Sequence, residues 1–155
     1  MVDSNTSVKT ESVEGTHDFG RRIGAVLAAG DLVALEGDLG SGKTVLVQGI
    51  AEALEVTTTV HSPTFVLHHR YPGRVPVDHY DLYRLHGMEW SDAGLDEPAP
   101  DSITVVEWSD RAGVLDAWST VRIRLEVVTE RERRLTFLKG PDRVRAVFSG
   151  QTSRA

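Results

Sequence analysis

Eight consecutive residues, Gly37-Asp38-Leu39-Gly40-Ser41-Gly42-Lys43-Thr44, set glycines, an ammonium group and a hydroxyl in the order G-x-x-x-x-G-K-T. Glycines let the chain curl so that successive backbone N–H groups point inward, and such a cup of amides accepts phosphate oxygens. A helix that starts at the cup adds its positive N-terminal end. The spacing therefore predicts a nucleotide-binding P-loop formed by Gly37, Gly40, Ser41, Gly42, Lys43, Thr44 and the following Val45. Lys43 is expected to reach the β- and γ-phosphates, and the Thr44 hydroxyl to serve Mg2+. A nucleotide is the expected ligand.

Magnesium keeps an octahedral oxygen shell, so a carboxylate is needed at the end of a neighbouring strand, directly or through water. Two residues qualify. Glu107 follows Ile103-Thr104-Val105-Val106, a hydrophobic strand running into an acid as in a Walker B element, with Glu in place of the usual Asp. Asp81 ends the strand-like run before Leu82-Tyr83. Either carboxylate is a candidate to orient the attacking water. Thr64, after Ser62-Pro63, is placed like a switch-loop hydroxyl that senses the γ-phosphate. Trp108 borders the site through Glu107. Of the six histidines, His68, His69, His79 and His86 lie close in sequence. Adjacent strand residues face opposite ways, and no His pair has helical spacing, so these are read as solvated or structural rather than as a metal site.

The elements that must position these groups follow from apolar spacing. Phe19, Ile23, Val26 and Leu27 mark one face of an amphipathic helix for which Thr16 is the expected cap. The near-continuous apolar run Leu32 to Glu36 reads as a strand covered on both faces, leading into the P-loop. The P-loop helix should turn Val47, Ile50, Ala51 and Leu54 inward. Ser62 to Leu67 leads into a strand, and Pro72-Gly73 separates it from a second strand, Val75 to about Tyr83, giving a hairpin. Ile103 to Val106 is another buried strand. Val121 to Val128 and Leu135 to Leu138 are two more, around a turn at Glu130 to Arg133, and the last apolar patch is Val144 to Phe148. The expected architecture is α/β: one compact P-loop NTPase domain over residues 14–148, a central mixed, mostly parallel sheet flanked by helices. Residues 1–13 and 149–155 are read as flexible tails.

Composition narrows the class. The chain has 155 residues, 40% of them hydrophobic, enough for one proper core, and no cysteine, which excludes disulfides and thiolate metal sites. No stretch resembles a signal peptide or a membrane span, so a cytoplasmic protein is expected. A net charge of −6 argues against nucleic-acid binding by bulk electrostatics. The charge is uneven. Asp78 to Asp116 carries ten acids against Arg84 and Arg111, whereas Ala117 onward carries nine Arg or Lys against four acids.

The ordered set of the P-loop, Ser62-Pro63-Thr64-Phe65, His79-Tyr80-Asp81-Leu82-Tyr83-Arg84-Leu85, Gly94-Leu95-Asp96-Glu97 and Val106-Glu107-Trp108 resembles the TsaE family. These are small bacterial ATPases of tRNA threonylcarbamoyladenosine biosynthesis. The resemblance runs from about Val13 to Leu138. It implies binding and slow hydrolysis of ATP with Mg2+, and docking on the TsaD–TsaB heterodimer, with tRNA met only through that complex. TsaD–TsaB transfers the threonylcarbamoyl group, and hydrolysis resets the assembly. It also implies that Thr44 and Glu107 are Mg2+ ligands, that Asp81 is needed for hydrolysis, and that Ser12 to Thr16 lie on the adenine side. Two positions depart from the family pattern: Ser41 where Ala is frequent, and Val45 where a second Thr is common. A small-molecule P-loop kinase is the alternative reading. A GTP switch is disfavoured because no N-K-x-D guanine reader is present.

Overall fold

The computed structural model describes residues 6–38, 40–60, 68–82, 99–108 and 120–150. Strand β1 (Ser7–Thr10) is followed by helix α1 (Val13–Gly24), β2 (Leu32–Glu36), α2 (Lys43–Ala53), β3 (His68–Tyr71), β4 (Val77–Asp81), β5 (Ile103–Trp108), β6 (Val121–Val127), β7 (Arg133–Lys139) and α3 (Asp142–Ser149). The strands form one sheet in the order β1-β7-β6-β2-β5-β4-β3. Its centre is parallel: β6, β2, β5 and β4 run the same way, while β1–β7, β7–β6 and β4–β3 pair antiparallel. The expected mixed P-loop α/β fold is thus present, with antiparallel pairs confined to the margins: β3–β4 and β6–β7 are consecutive strands, while β1 joins β7 from the other end of the chain.

Alternation sorts the sheet residues. Val33 and Leu35 share a face with Val105, Ile123, Leu125, Leu135 and Phe137, and this face packs on Phe19, Ile23, Leu46, Val47, Ile50, Val147 and Phe148 of the three helices. Leu32, Ala34 and Val106, on the other face, are buried as well. The continuous apolar run of β2 is explained by that double burial. Phe148 meets Phe19 edge-on at 5.0 Å and Phe137 at 5.5 Å, so α3 closes the core beside α1. Both predicted helical stripes point inward, except that Val26 is only partly buried.

Two N-terminal expectations are corrected. Ser7–Thr10 is not tail but an edge strand, in register with β7 from Ser7 opposite Thr136 to Thr10 opposite Arg133. A four-residue, mostly polar strand has no apolar alternation to betray it; pairing with β7 and the burial of Thr10 hold it. The cap of α1 is Ser12, whose Oγ accepts the Gly15 N–H at 2.9 Å. Thr16 lies inside the first turn, buried, with its hydroxyl 2.7 Å from that of Thr10. Ser149 and Gly150 end α3, with Gly150 left-handed at φ 74°. Residues 151–155 lie outside those described.

Candidate functional site

Parallel strands align their carboxyl ends, and the chain leaves β2 at that edge directly into Gly37. Gly37 has φ 155°, and a Cβ there would lie 2.5 Å from the Leu125 carbonyl oxygen and 2.6 Å from Ser41 Oγ. Gly40 and Gly42, at φ 84° and 101°, take the left-handed turns that curl the loop under the start of α2. A Cβ on Gly42 would touch Thr16 Cγ2 at 3.7 Å, so the first turn of α1 lies against the P-loop. That contact brings Ser12 and Thr16 to this end of the sheet, with both hydroxyls used within the protein. Val45, one residue into α2, is partly buried.

Thr44 reaches across to β5. Its hydroxyl donates to Glu107 Oε1 at 3.1 Å and Oε2 at 3.3 Å. Glu107 is 3% exposed and stands in register between Leu35 of β2 and Asp81 of β4, so both candidate acids lie side by side at one edge. The next same-face residue on β4 is His79, wholly buried, whose Nε2 is 2.5 Å from Glu107 Oε2. The Lys43 ammonium donates to the Gly37 and Asp38 carbonyls at 2.6 and 3.1 Å. Burial lowers its pKa below the usual lysine value, and the carboxylates of Glu107, Asp81 and Asp38 oppose that shift. Lys43, Thr44, Glu107 and Asp81 therefore form one cluster.

A cleft of about 370 Å3 opens beside the loop, lined among others by Glu36, Gly37, Asp38, Ser41, Arg124 and Val127. That volume suits a small-molecule ligand. Ser41 is 1% exposed, and its hydroxyl has no hydrogen-bond partner among the described residues. A buried orphan hydroxyl in a glycine cradle is what a ligand oxygen would satisfy. Arg133, from the Arg131–Arg134 run, meets the P-loop as well: Nη2 donates to the Gly40 carbonyl at 3.2 Å, while Nη1 holds the carbonyls of Thr129, Glu130 and Glu132.

For Mg2+, the donors are all hard oxygens, the Thr44 hydroxyl and the Glu107 and Asp81 carboxylates, and they fit that ion. Among the described residues no three His, Asp or Glu side chains form a ready cage. Mg2+ is usually held by one or two carboxylates with water and substrate phosphates completing its shell. Trp108 ends β5 in register with Glu36, but its side chain lies outside what is described. Thr64, Arg84, Arg111 and the Gly94–Glu97 motif also fall outside the described residues. Sequence reasoning missed the part of His79. Its spacing two residues before Asp81, on the same strand face, was the available signal.

A glycine cradle between a buried parallel strand and a helix, with an acid on the adjacent strand, defines the P-loop α/β class. Comparison with known proteins narrows it. The family model for the threonylcarbamoyl adenosine biosynthesis protein TsaE matches residues 10–135. The protein of that name from Streptomyces coelicolor is 43% identical over 71% of this chain and 76% of its own. The one from Nostoc is 41% identical over 71% and 72%, and the Bacillus subtilis one 37% identical over 83% and 82%. The crystal structure of Bacillus subtilis YdiB superposes with a TM-score of 0.70 at 27% identity, covering 98% of this chain and 96% of that one. The chain belongs to the TsaE family of threonylcarbamoyladenosine biosynthesis proteins.

Proposed function

We propose that this protein binds ATP with Mg2+, hydrolyses it slowly, and supports threonylcarbamoyladenosine modification of tRNA in the cytoplasm. It would do so by docking on the TsaD–TsaB transferase and resetting it between turnovers. The hydrogen bond from Thr44 to Glu107 carries the reading, because it joins the first turn of the P-loop helix to the acid of the adjacent strand. Family membership supports the pathway. Among the described residues no helix is long and apolar enough to cross a membrane.

The amides of the Gly37–Thr44 loop would cradle the phosphates, and the Ser41 hydroxyl would gain an acceptor. Lys43 would exchange its two loop carbonyls for β- and γ-phosphate oxygens. Thr44 and Glu107 would hold Mg2+, which would offset negative charge on those oxygens. Asp81, beside Glu107, is the carboxylate assigned to orient the attacking water. Phosphoryl transfer needs positioning and charge stabilisation above all. The guanidinium of Arg133 is shared among four carbonyls, so it is poorly free to follow charge on a departing phosphoryl group. Slow turnover is expected of the isolated protein, below the ~1–100 s⁻¹ of kinases, with acceleration in the complex, the cation coming from Arg84, Arg111 or a partner.

Calorimetry with Mg2+ and ATP tests the first half: binding heat is expected in the wild type and its loss in Lys43→Ala. No heat from folded wild type overturns the nucleotide reading. Pull-down on TsaD–TsaB tests the second: association is expected to change with ATP in the wild type but not in Lys43→Ala. ATP-insensitive association would remove the docking role and leave nucleotide binding standing. Release of free phosphate is the expected product, and a phosphorylated metabolite would instead indicate a kinase.

A further inference from the structure

The buried histidine under Glu107 has no counterpart in the chemistry assigned so far. We propose that His79 is a positioning residue: its Nε2–H fixes the Glu107 carboxylate in the orientation that meets the Thr44 hydroxyl at the start of the P-loop helix. The proposal rests on the Mg2+-nucleotide reading above and deepens it.

Three observations carry it. The first is that one carboxylate is held from two sides: Oε2 takes His79 at 2.5 Å, and the Thr44 hydroxyl spans Oε1 at 3.1 Å and Oε2 at 3.3 Å. The terminal torsion of a glutamate is soft and roughly two-fold, so without a fixed donor on one oxygen the group would rotate readily. The second is how His79 is held. It is 0% exposed, sits opposite Val105 in the register of β4 on β5, and has the Tyr71 ring 6.1 Å away. A ring fixed on a central strand points one nitrogen at one target. The third is its other nitrogen. Nδ1 is buried and has no hydrogen-bond partner among the described residues. Burying an unpaired polar atom is unfavourable, and a leucine would fill the same space without it. The imidazole is explained if the Nε2–H is the group in use, with Nδ1 the bare nitrogen of that tautomer. Partners that orient metal ligands in this way commonly change metal affinity by about 10–100-fold.

The test measures ADP binding in EDTA and in MnCl2, with Mn2+ standing for Mg2+ and its EPR signal reporting the metal directly. In EDTA, His79→Leu is expected to bind ADP within about two-fold of wild type, because the P-loop is untouched. The gain conferred by Mn2+ is expected to fall at least about ten-fold. His79→Gln, whose side-chain amide nitrogen reaches a similar place, should recover most of it, and His79→Asn, one bond shorter, should not. In a Glu107→Gln background, adding His79→Leu should change nothing further, since the effect runs through the carboxylate. Should His79→Leu fail to fold, the Gln and Asn pair decides. Full Mn2+ gain in folded His79→Leu overturns the proposal, as does a folded His79→Gln as deficient as His79→Asn. A wild type without any Mn2+ gain overturns instead the metal-nucleotide reading on which it stands.

Discussion

Ser41 holds a buried hydroxyl in the wall of the cleft beside the P-loop. Its backbone N–H is satisfied by the Asp38 carbonyl at 3.0 Å, but its Oγ finds no partner among the described residues. A buried hydroxyl without a hydrogen bond costs about 1–3 kcal/mol, so the free protein is less stable for having it. Ser41→Ala should therefore raise the stability of the free protein by about 1 kcal/mol in urea melts. The same change should weaken ATP binding several-fold by calorimetry, because a ligand oxygen is the natural acceptor in that cleft. A variant that gains nothing in stability would mean the hydroxyl already has a partner. Glu107 is tied by two side chains, and Asp81 stands buried beside it in register on β4.

At the scale of elements, the P-loop is aimed by how tightly α2 lies against α1. Gly49 stands where the helices cross: a Cβ there would be 2.1 Å from the His17 carbonyl oxygen and 3.0 Å from the Arg21 nitrogen. Gly20 is as close on the other side, 2.4 Å from the Leu46 carbonyl oxygen. These contacts are to backbone, which cannot swing aside as a side chain can. Alanine at position 49 would gain roughly 1 kcal/mol of helix propensity, and overpacking usually costs about 1–3 kcal/mol. With a contact this short the upper end applies. Gly49→Ala should lower stability by about 2 kcal/mol, read as a shifted urea midpoint, and should weaken ATP binding because α2 carries Lys43 and Thr44 on its first turn. Unchanged stability would show that the helices can separate without cost.

Across the whole molecule, distant segments are tied at the lower end of β2. Asp31, 6% exposed, accepts the Ala28 N–H at 2.8 Å and both terminal nitrogens of Arg143 at 2.9 and 3.0 Å, linking α3 to a turn more than a hundred residues earlier. Arg143 also donates to the Val26 carbonyl at 2.6 Å. Removing the acid strands several donors, whereas removing the half-exposed arginine leaves an acid that still has partners. Asp31→Ala should cost about 2–3 kcal/mol and Arg143→Met about half of that, after allowing for solvent screening of the exposed partner. Equal losses in urea melts would refute this asymmetry. The same end-to-end order separates charge: β6, β7 and α3, rich in arginine, lie at one side of the sheet, and the Asp78 and Asp81 strand at the other.

Much of this protein was legible in its residues because the relevant physics is local. Gly37 to Thr44 declares a phosphate cradle, since few other residues tolerate φ of 84° or 101°. The apolar run of β2 and the stripes of both long helices declare the core, since burial imposes its own period. The acids at 81 and 107 follow strand endings that alternation marks. Strand β1 was not legible, because a short polar edge strand is stabilised by β7 more than a hundred residues away and leaves no pattern of its own. Nor was the cap of α1: Ser12 and Thr16 are equivalent in type, and the contact between Thr16 and Thr10 decides between them. The pairing of Glu107 with Thr44 and His79 was decided only by the order of the sheet, which sets β4 beside β5 and β5 beside β2. Hydrogen bonds between residues 28 and 63 positions apart are made by topology, and topology is a property of the folded whole.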